Sequence, residues 1–183
     1  MPNSGYTIWI TGLSGAGKTT LARLLESALI QSGARVEVLD GDLVRTTVCK
    51  GLGYSKEDRD ENIRRVGFLC EWFSRRGVIA IAAAISPYRA IRDEIRARTP
   101  KFIEVYAKCP ISVLSARDVK GIYRKALAGD IKHFTGIDDP YEEPLRPEVT
   151  VDSSRETPEE SLERILNVLC DKGVIRATLR RAS

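Results

Sequence analysis

The chain has 183 residues, 43% apolar and 30% charged, enough to bury one well-formed core and too few for two, so a single domain over 1–183 is expected. Lys and Arg outnumber Asp and Glu by 29 to 25, and this net charge of +4 is spread along the chain, which suits small anionic ligands without selecting among them. Cys49, Cys70, Cys109 and Cys170 form no Cys-x-x-Cys pair and have a single histidine, His133, to share a metal with, which argues against structural zinc; the absence of a basic leader or of a run of ~20 apolar residues argues against export and membrane insertion. A cytoplasmic protein with buried, reduced thiols is expected.

In chain order, short apolar runs alternate with longer amphipathic segments. Strands are expected at Tyr6–Ile10, Arg35–Leu39, Val78–Ile85, Phe102–Ala107 and Glu148–Asp152, with helices over Lys18–Ser32, Ser55–Arg76, Tyr88–Arg98, Ile111–Ala116 and Ile122–Ala128. That rhythm predicts an α/β fold, a parallel sheet flanked by helices. The runs at Tyr6 and Val78 are apolar on both faces, as central parallel strands must be, whereas "RVEVLD" alternates. Thr157 as cap and Pro158 at the first position start a last helix running to about Cys170. From about 121 to 147 the glycines, prolines and acids of "GDIKHFTGIDDPYEEP" lack strand periodicity, and a segment of that kind is expected to be a functional lid. The basic tail "IRATLRRAS" reads as a solvated end.

Between the first strand and the first helix stands "GLSGAGKTT", Gly12 to Thr20, which fits the P-loop pattern in its proper context. Its glycines let successive backbone N–H groups face one anion, so Gly12, Gly15, Ala16, Gly17 and Thr20 are read as nucleotide-binding. Lys18 is read as reaching the β and γ phosphates and Thr19 as offering an oxygen to Mg²⁺. No Asn-Lys-x-Asp string is present to read guanine, and "DVKG" at Asp118–Gly121 follows no strand end, so ATP is the expected nucleotide. Asp40 and Asp42 in "LDGD" close the second strand, where a carboxylate can help hold Mg²⁺ (Asp40) or accept or orient the proton of an attacking hydroxyl (Asp42).

Six motifs, "GLSGAGKTT", "LDGDLVR", "LGYSKEDRDENIRR", "ISPYR", "RDVKGIYRKA" and "FTGIDDPYEEP", follow one another from Gly12 to Pro144, and together they closely resemble the adenylyl-sulfate kinase family. The resemblance implies a P-loop kinase with a five-stranded parallel sheet that uses ATP and Mg²⁺. Such a kinase phosphorylates the 3′-hydroxyl of adenylyl sulfate to 3′-phosphoadenylyl sulfate in sulfate activation and assimilation. It further implies that Arg45, Arg59 and Asn62 hold the phosphosulfate and ribose and that Tyr54 and Phe134 enclose the adenine. On the same ground Ile85, Ser86 and His133 touch the substrate, Lys120 lies between the two nucleotides, and Arg117 stacks on the ATP base. Lys18, Asp42 and Ser86 are the catalytic candidates. Ser86 matches a serine proposed as a phosphorylated intermediate, although direct in-line transfer needs only positioning and charge neutralisation.

Tyr54 stands where the family usually has Phe, and Lys108 where an acid is common; the stacking face is kept. The chain starts a few residues before its first strand, so no N-terminal extension or fused sulfurylase is expected. The resemblance also implies a homodimer; neither nucleic acid nor a membrane is an expected partner. Another small-metabolite P-loop kinase, such as one for a sugar acid, is the alternative, and two aromatic plates argue against it. A nucleotide switch or nucleic-acid binder would need a guanine motif or a clustered basic stripe.

Overall fold

The computed structural model describes residues 5–99 and 101–175. Five strands, β1 (Thr7–Thr11), β2 (Val36–Asp40), β3 (Ile79–Ala83), β4 (Phe102–Lys108) and β5 (Val149–Asp152), form one parallel sheet in the order β2-β3-β1-β4-β5. Every residue of β1 and β3 is buried, while β2 and β5, at the two edges, are half-covered, as the contrast between continuous and alternating apolar runs anticipates.

The pleat divides the core. Ile8 and Ile10 of β1 face one layer with Ile81 and Val105, against Leu21, Leu25 and Leu29 of α1 (Lys18–Gln31). Ile165 and Leu169 of α7 (Pro158–Asp171) complete that layer. Trp9 faces the other layer with Ala80 and Ala82, against Val66 and Cys70 of α3 (Lys56–Ser74) and Ile91 and Ile95 of α4 (Arg89–Arg98). α3 starts at Ser55, whose hydroxyl accepts from the N–H of Asp58, and α7 starts with a full capping box between Thr157 and Glu160 behind Pro158.

Two short helices, α5 (Ile111–Arg117) and α6 (Ile122–Leu127), lead into the segment that crosses the C-terminal end of the sheet. One helix was not expected from the sequence: α2 (Gly41–Thr46) follows β2 without a turn, where "LDGD" reads as a strand end. The tail from residue 176, read as a loose basic end, lies outside the described residues.

Candidate active site

The C-terminal ends of β1, β2 and β3 open into a cavity of about 720 Å³, roofed by residues of 119–135. On its donor side, Gly15 (φ 78) and Gly17 (φ 88) take left-handed backbone that turns the chain around an anion-sized space. α1 begins there with neither a side-chain cap nor an acid in its first turn, leaving its N-terminal amides and positive dipole end to a ligand. Lys18 folds back to donate to the Leu13 carbonyl at 2.8 Å. Burial draws its ammonium pKa down to about 8, with Lys120 adding to the effect and Asp42 and Asp40 opposing it.

Two glycine-loop residues stand back from the cavity and pack the loop itself. Gly12 and Ala16 are buried outside the cavity lining. A Cβ on Gly12 would sit 2.3 Å from the Ala107 carbonyl oxygen, so this glycine lets the loop pass against β4. The Ala16 N–H donates to the Leu13 carbonyl at 3.2 Å.

Asp40 joins the donor side to the acceptor side. One carboxylate oxygen caps α2, accepting from the N–H groups of Asp42 (3.0 Å) and Leu43 (3.3 Å), and the other accepts from the Thr19 hydroxyl at 2.8 Å. An aspartate ahead of a helical turn was the sequence signal for α2. Gly41 follows because a Cβ there would meet the Ala83 carbonyl oxygen at 2.8 Å. The cap puts Asp42 in the first turn of α2 with its carboxylate in the cavity, where Lys120 donates to it at 2.6 Å. Among the described residues no cluster of three or more His, Cys, Asp or Glu could hold a metal by itself. One carboxylate beside one hydroxyl fits Mg²⁺, which keeps several waters and takes phosphate oxygens for the rest of its shell.

The other side of the same cavity is lined by Arg45, Tyr54, Arg59, Asn62, Ile85, Ser86, His133 and Phe134. Tyr54 is exposed, with the Arg45 guanidinium 4.4 Å from its ring centre; Phe134 packs edge-on against Tyr123 at 5.0 Å. Asn62 is buried and its Oδ1 has no hydrogen-bond partner.

Arg59 is committed within the protein. Its guanidinium donates to the carbonyls of Tyr54 (2.9 Å) and His133 and to the Thr135 hydroxyl (2.6 Å), and pairs with Asp139 at 3.1 Å. It therefore ties α3 to the roof as well as lining the cavity. His133, at φ 58, uses its backbone in the same tie, its N–H donating to Asp138 at 2.6 Å.

Ser86 turns its hydroxyl inward. Oγ accepts from the Trp9 indole N–H and donates to Thr11 Oγ1, both at 3.0 Å, in a buried chain that leaves no base beside it. Arg117 is exposed and misses the main cavity, bordering a small recess that shares Ser14, Gly15 and Lys120 with it. Its neighbour Asp118 accepts from the N–H groups of Tyr123 and Arg124 at the start of α6, which explains "DVKG" without a GTPase role. Thr135, Asp139 and Lys132 were not singled out from sequence; the acids of "GIDDP" were the available signal.

A parallel sheet of this order, with an uncapped glycine-rich cradle after β1 and a helix-capping aspartate after β2, on the far side of β3, defines a P-loop phosphotransferase. The profile of the adenylylsulphate kinase family matches residues 4–152, and the chain belongs to that family. It is 55% identical over 175 residues to the adenylyl-sulfate kinase of Microcystis aeruginosa, covering 96% of this chain and 97% of that one. It is 59% identical over 172 residues to the "Probable bifunctional SAT/APS kinase 2" of Sorangium cellulosum, covering 94% of this chain but only 30% of that longer protein. The solved Mycobacterium tuberculosis APS kinase CysC in complex with AMPPNP and APS superposes with a TM-score of 0.87 at 37% identity, over 92% of this chain and 99% of that one.

Proposed function

We infer that the chain transfers the γ phosphate of ATP to the 3′-hydroxyl of adenylyl sulfate, giving 3′-phosphoadenylyl sulfate and ADP. The observation that carries this reading is the continuity of one cavity from the uncapped N-terminus of α1 to the Tyr54 and Phe134 rings, with Asp42 between them. In this reading the P-loop amides and Lys18 hold the ATP phosphates, and Arg117, which borders the recess at Ser14 and Gly15, covers the ATP base. Thr19 and Asp40 are the residues for Mg²⁺, which when bound offsets the charge on the phosphate oxygens.

The acceptor is an aromatic base on a ribose with an anionic end, and each part has a counterpart. Tyr54 and Phe134 offer flat faces, the orphaned Asn62 Oδ1 accepts from a ribose hydroxyl, Arg45 and Arg59 face the phosphosulfate, and Lys120, paired with Asp42, lies between the two nucleotides. Asp42 takes or orients the 3′-hydroxyl proton as the oxygen forms its bond to the γ phosphorus and the bond to the β–γ bridging oxygen breaks.

Residues 1–183 form one kinase domain in this reading, with 121–147 as its lid. A cytoplasmic location, where ATP is supplied, is proposed with it. No helix among the described residues is long and apolar enough to cross a membrane. A homodimer is proposed, supported by the exposed Phe68 and Trp72 side by side on α3; light scattering reads it directly. Coupled turnover with ATP against adenylyl sulfate, gluconate and water tests the function. Adenylyl sulfate is expected to be the preferred acceptor, and preference for gluconate would replace this reading with a sugar-acid kinase.

A further inference from the structure

Ser86 holds a backbone conformation, φ 42, that L-residues rarely adopt, and it does so between Ile85 and Pro87 in the acceptor wall of the cavity. A strained loop persists only where its surroundings over-determine it, and the surroundings here converge on one side chain. Arg92 of α4 is 3% exposed and lies outside the cavity lining. Its Nη1 donates to the Ser86 carbonyl at 2.5 Å, its Nη2 to the Glu142 carbonyl at 2.6 Å, and its Nε to Glu104 Oε1 at 3.0 Å.

The second of these contacts reaches the far end of the roof segment. Glu142 returns a bond from its N–H to the Pro87 carbonyl at 2.8 Å and accepts the Arg89 N–H on its carboxylate at 2.7 Å; Arg89 Nε donates to the Glu143 carbonyl at 2.8 Å. One residue earlier, the Tyr141 hydroxyl lies 3.0 Å from Thr11 Oγ1, immediately before the glycine loop. A single planar fork thus spans the acceptor wall and the strap by which the roof rejoins the sheet.

We propose that Arg92 is a positioning residue for the acceptor: it fixes the Ile85–Ser86–Pro87 wall and couples that wall to the Tyr141–Glu143 strap. This rests on the kinase reading of the cavity. Lysine cannot replace it, because one ammonium cannot serve two carbonyls and a carboxylate arranged around a plane. A role in stability alone does not explain the geometry. Glu104 has a second cation, Arg96, at 3.1 Å, so the buried acid stays paired when Arg92 is lost.

The test compares Arg92→Lys and Arg92→Gln with Arg96→Lys, which perturbs the same ion network without touching Ser86 or Glu142. Both Arg92 variants are expected to raise KM for adenylyl sulfate about tenfold or more, the scale of one charged hydrogen bond, with KM for ATP within about twofold. Arg96→Lys is expected to leave both constants within about twofold. Amide exchange of the ligand-free proteins is read in parallel, and Ser86, Tyr88, Arg89 and residues 141–143 should exchange faster in the Arg92 variants only. Equal changes in both KM values, the same acceptor defect in Arg96→Lys, or unchanged exchange at those amides would overturn the proposal. A parent enzyme inactive on adenylyl sulfate overturns the kinase reading instead, and the exchange measurement still decides the role of Arg92.

Discussion

Lys18 carries its charge in an unfavourable place until a triphosphate arrives. Burial lowers its pKa from 10.5 to about 8 in the free protein, and phosphate oxygens restore the charged form on binding. The sign follows: between about 8 and the higher bound value, nucleotide binding takes up a proton, and affinity falls as pH rises through that window. Titration calorimetry in buffers of differing ionisation enthalpy should show a proton uptake by Lys18 on nucleotide binding that is larger at pH 9 than at pH 7; no uptake at pH 9 would contradict the burial of this ammonium. Asp42 is the counterpart on the acceptor side, free of the capping duty that Asp40 performs. Asp42→Asn should lower kcat by about a hundredfold or more with KM for ATP within about twofold, measured by coupled turnover. Ser86 is the contrasting case, since its hydroxyl serves Trp9 and Thr11. Ser86→Ala should keep turnover within about tenfold of the parent and lose roughly 1–3 kcal/mol of stability by stranding the indole N–H, whereas an obligatory phosphoserine predicts no turnover at all.

At the scale of elements, the loop between β1 and α1 contains glycines required for two different reasons. A methyl on Gly12 collides with the backbone of β4, but a methyl on Gly17 meets nothing within 4 Å and costs only the left-handed conformation. Denaturant unfolding should therefore rank Gly12→Ala, at roughly 1–3 kcal/mol or more, above Gly17→Ala, at about 1 kcal/mol; the reverse order would mean that conformation, not crowding, governs this loop. The P-loop was legible because its cradle is contiguous in sequence and its flanks have unmistakable periods. The strands were legible for the same reason, since central β1 and β3 are apolar throughout and edge β2 alternates. α2 was not, because Gly41–Thr46 is too short for a helical period and opens on glycine, leaving the Asp40 cap as its one local mark. Arg59 illustrates a deeper limit. "KEDRDENIRR" reads as a solvated helix face, and its partners Thr135 and Asp139 come to it only through the path of the roof, which no local pattern encodes.

Across the whole molecule, that path carries the proposed lid reading, in which a closed roof sends the phosphate to an acceptor and not to water. The roof leaves the sheet after α5 and returns at Tyr141–Glu143, and between these ends it is pinned to α3 by the Arg59 guanidinium. Within that pin the Asp139 carboxylate, 3.1 Å from Nη2 and largely buried, supplies the opposite charge. Charged hydrogen bonds of this kind contribute about 1.5–3 kcal/mol, enough to shift an open–closed balance by roughly tenfold or more. Asp139→Asn keeps the shape and removes the charge, while Thr135 and the His133 carbonyl still hold Arg59, so the fold should persist. An open roof admits water beside the γ phosphate. Phosphate transfer to adenylyl sulfate should then fall about tenfold, while ATP hydrolysis without acceptor holds or rises, so the ratio of hydrolysis to transfer increases. Parallel loss of both activities would instead make Asp139 a partner in nucleotide binding, and an unchanged ratio would assign closure to the Arg92 strap alone.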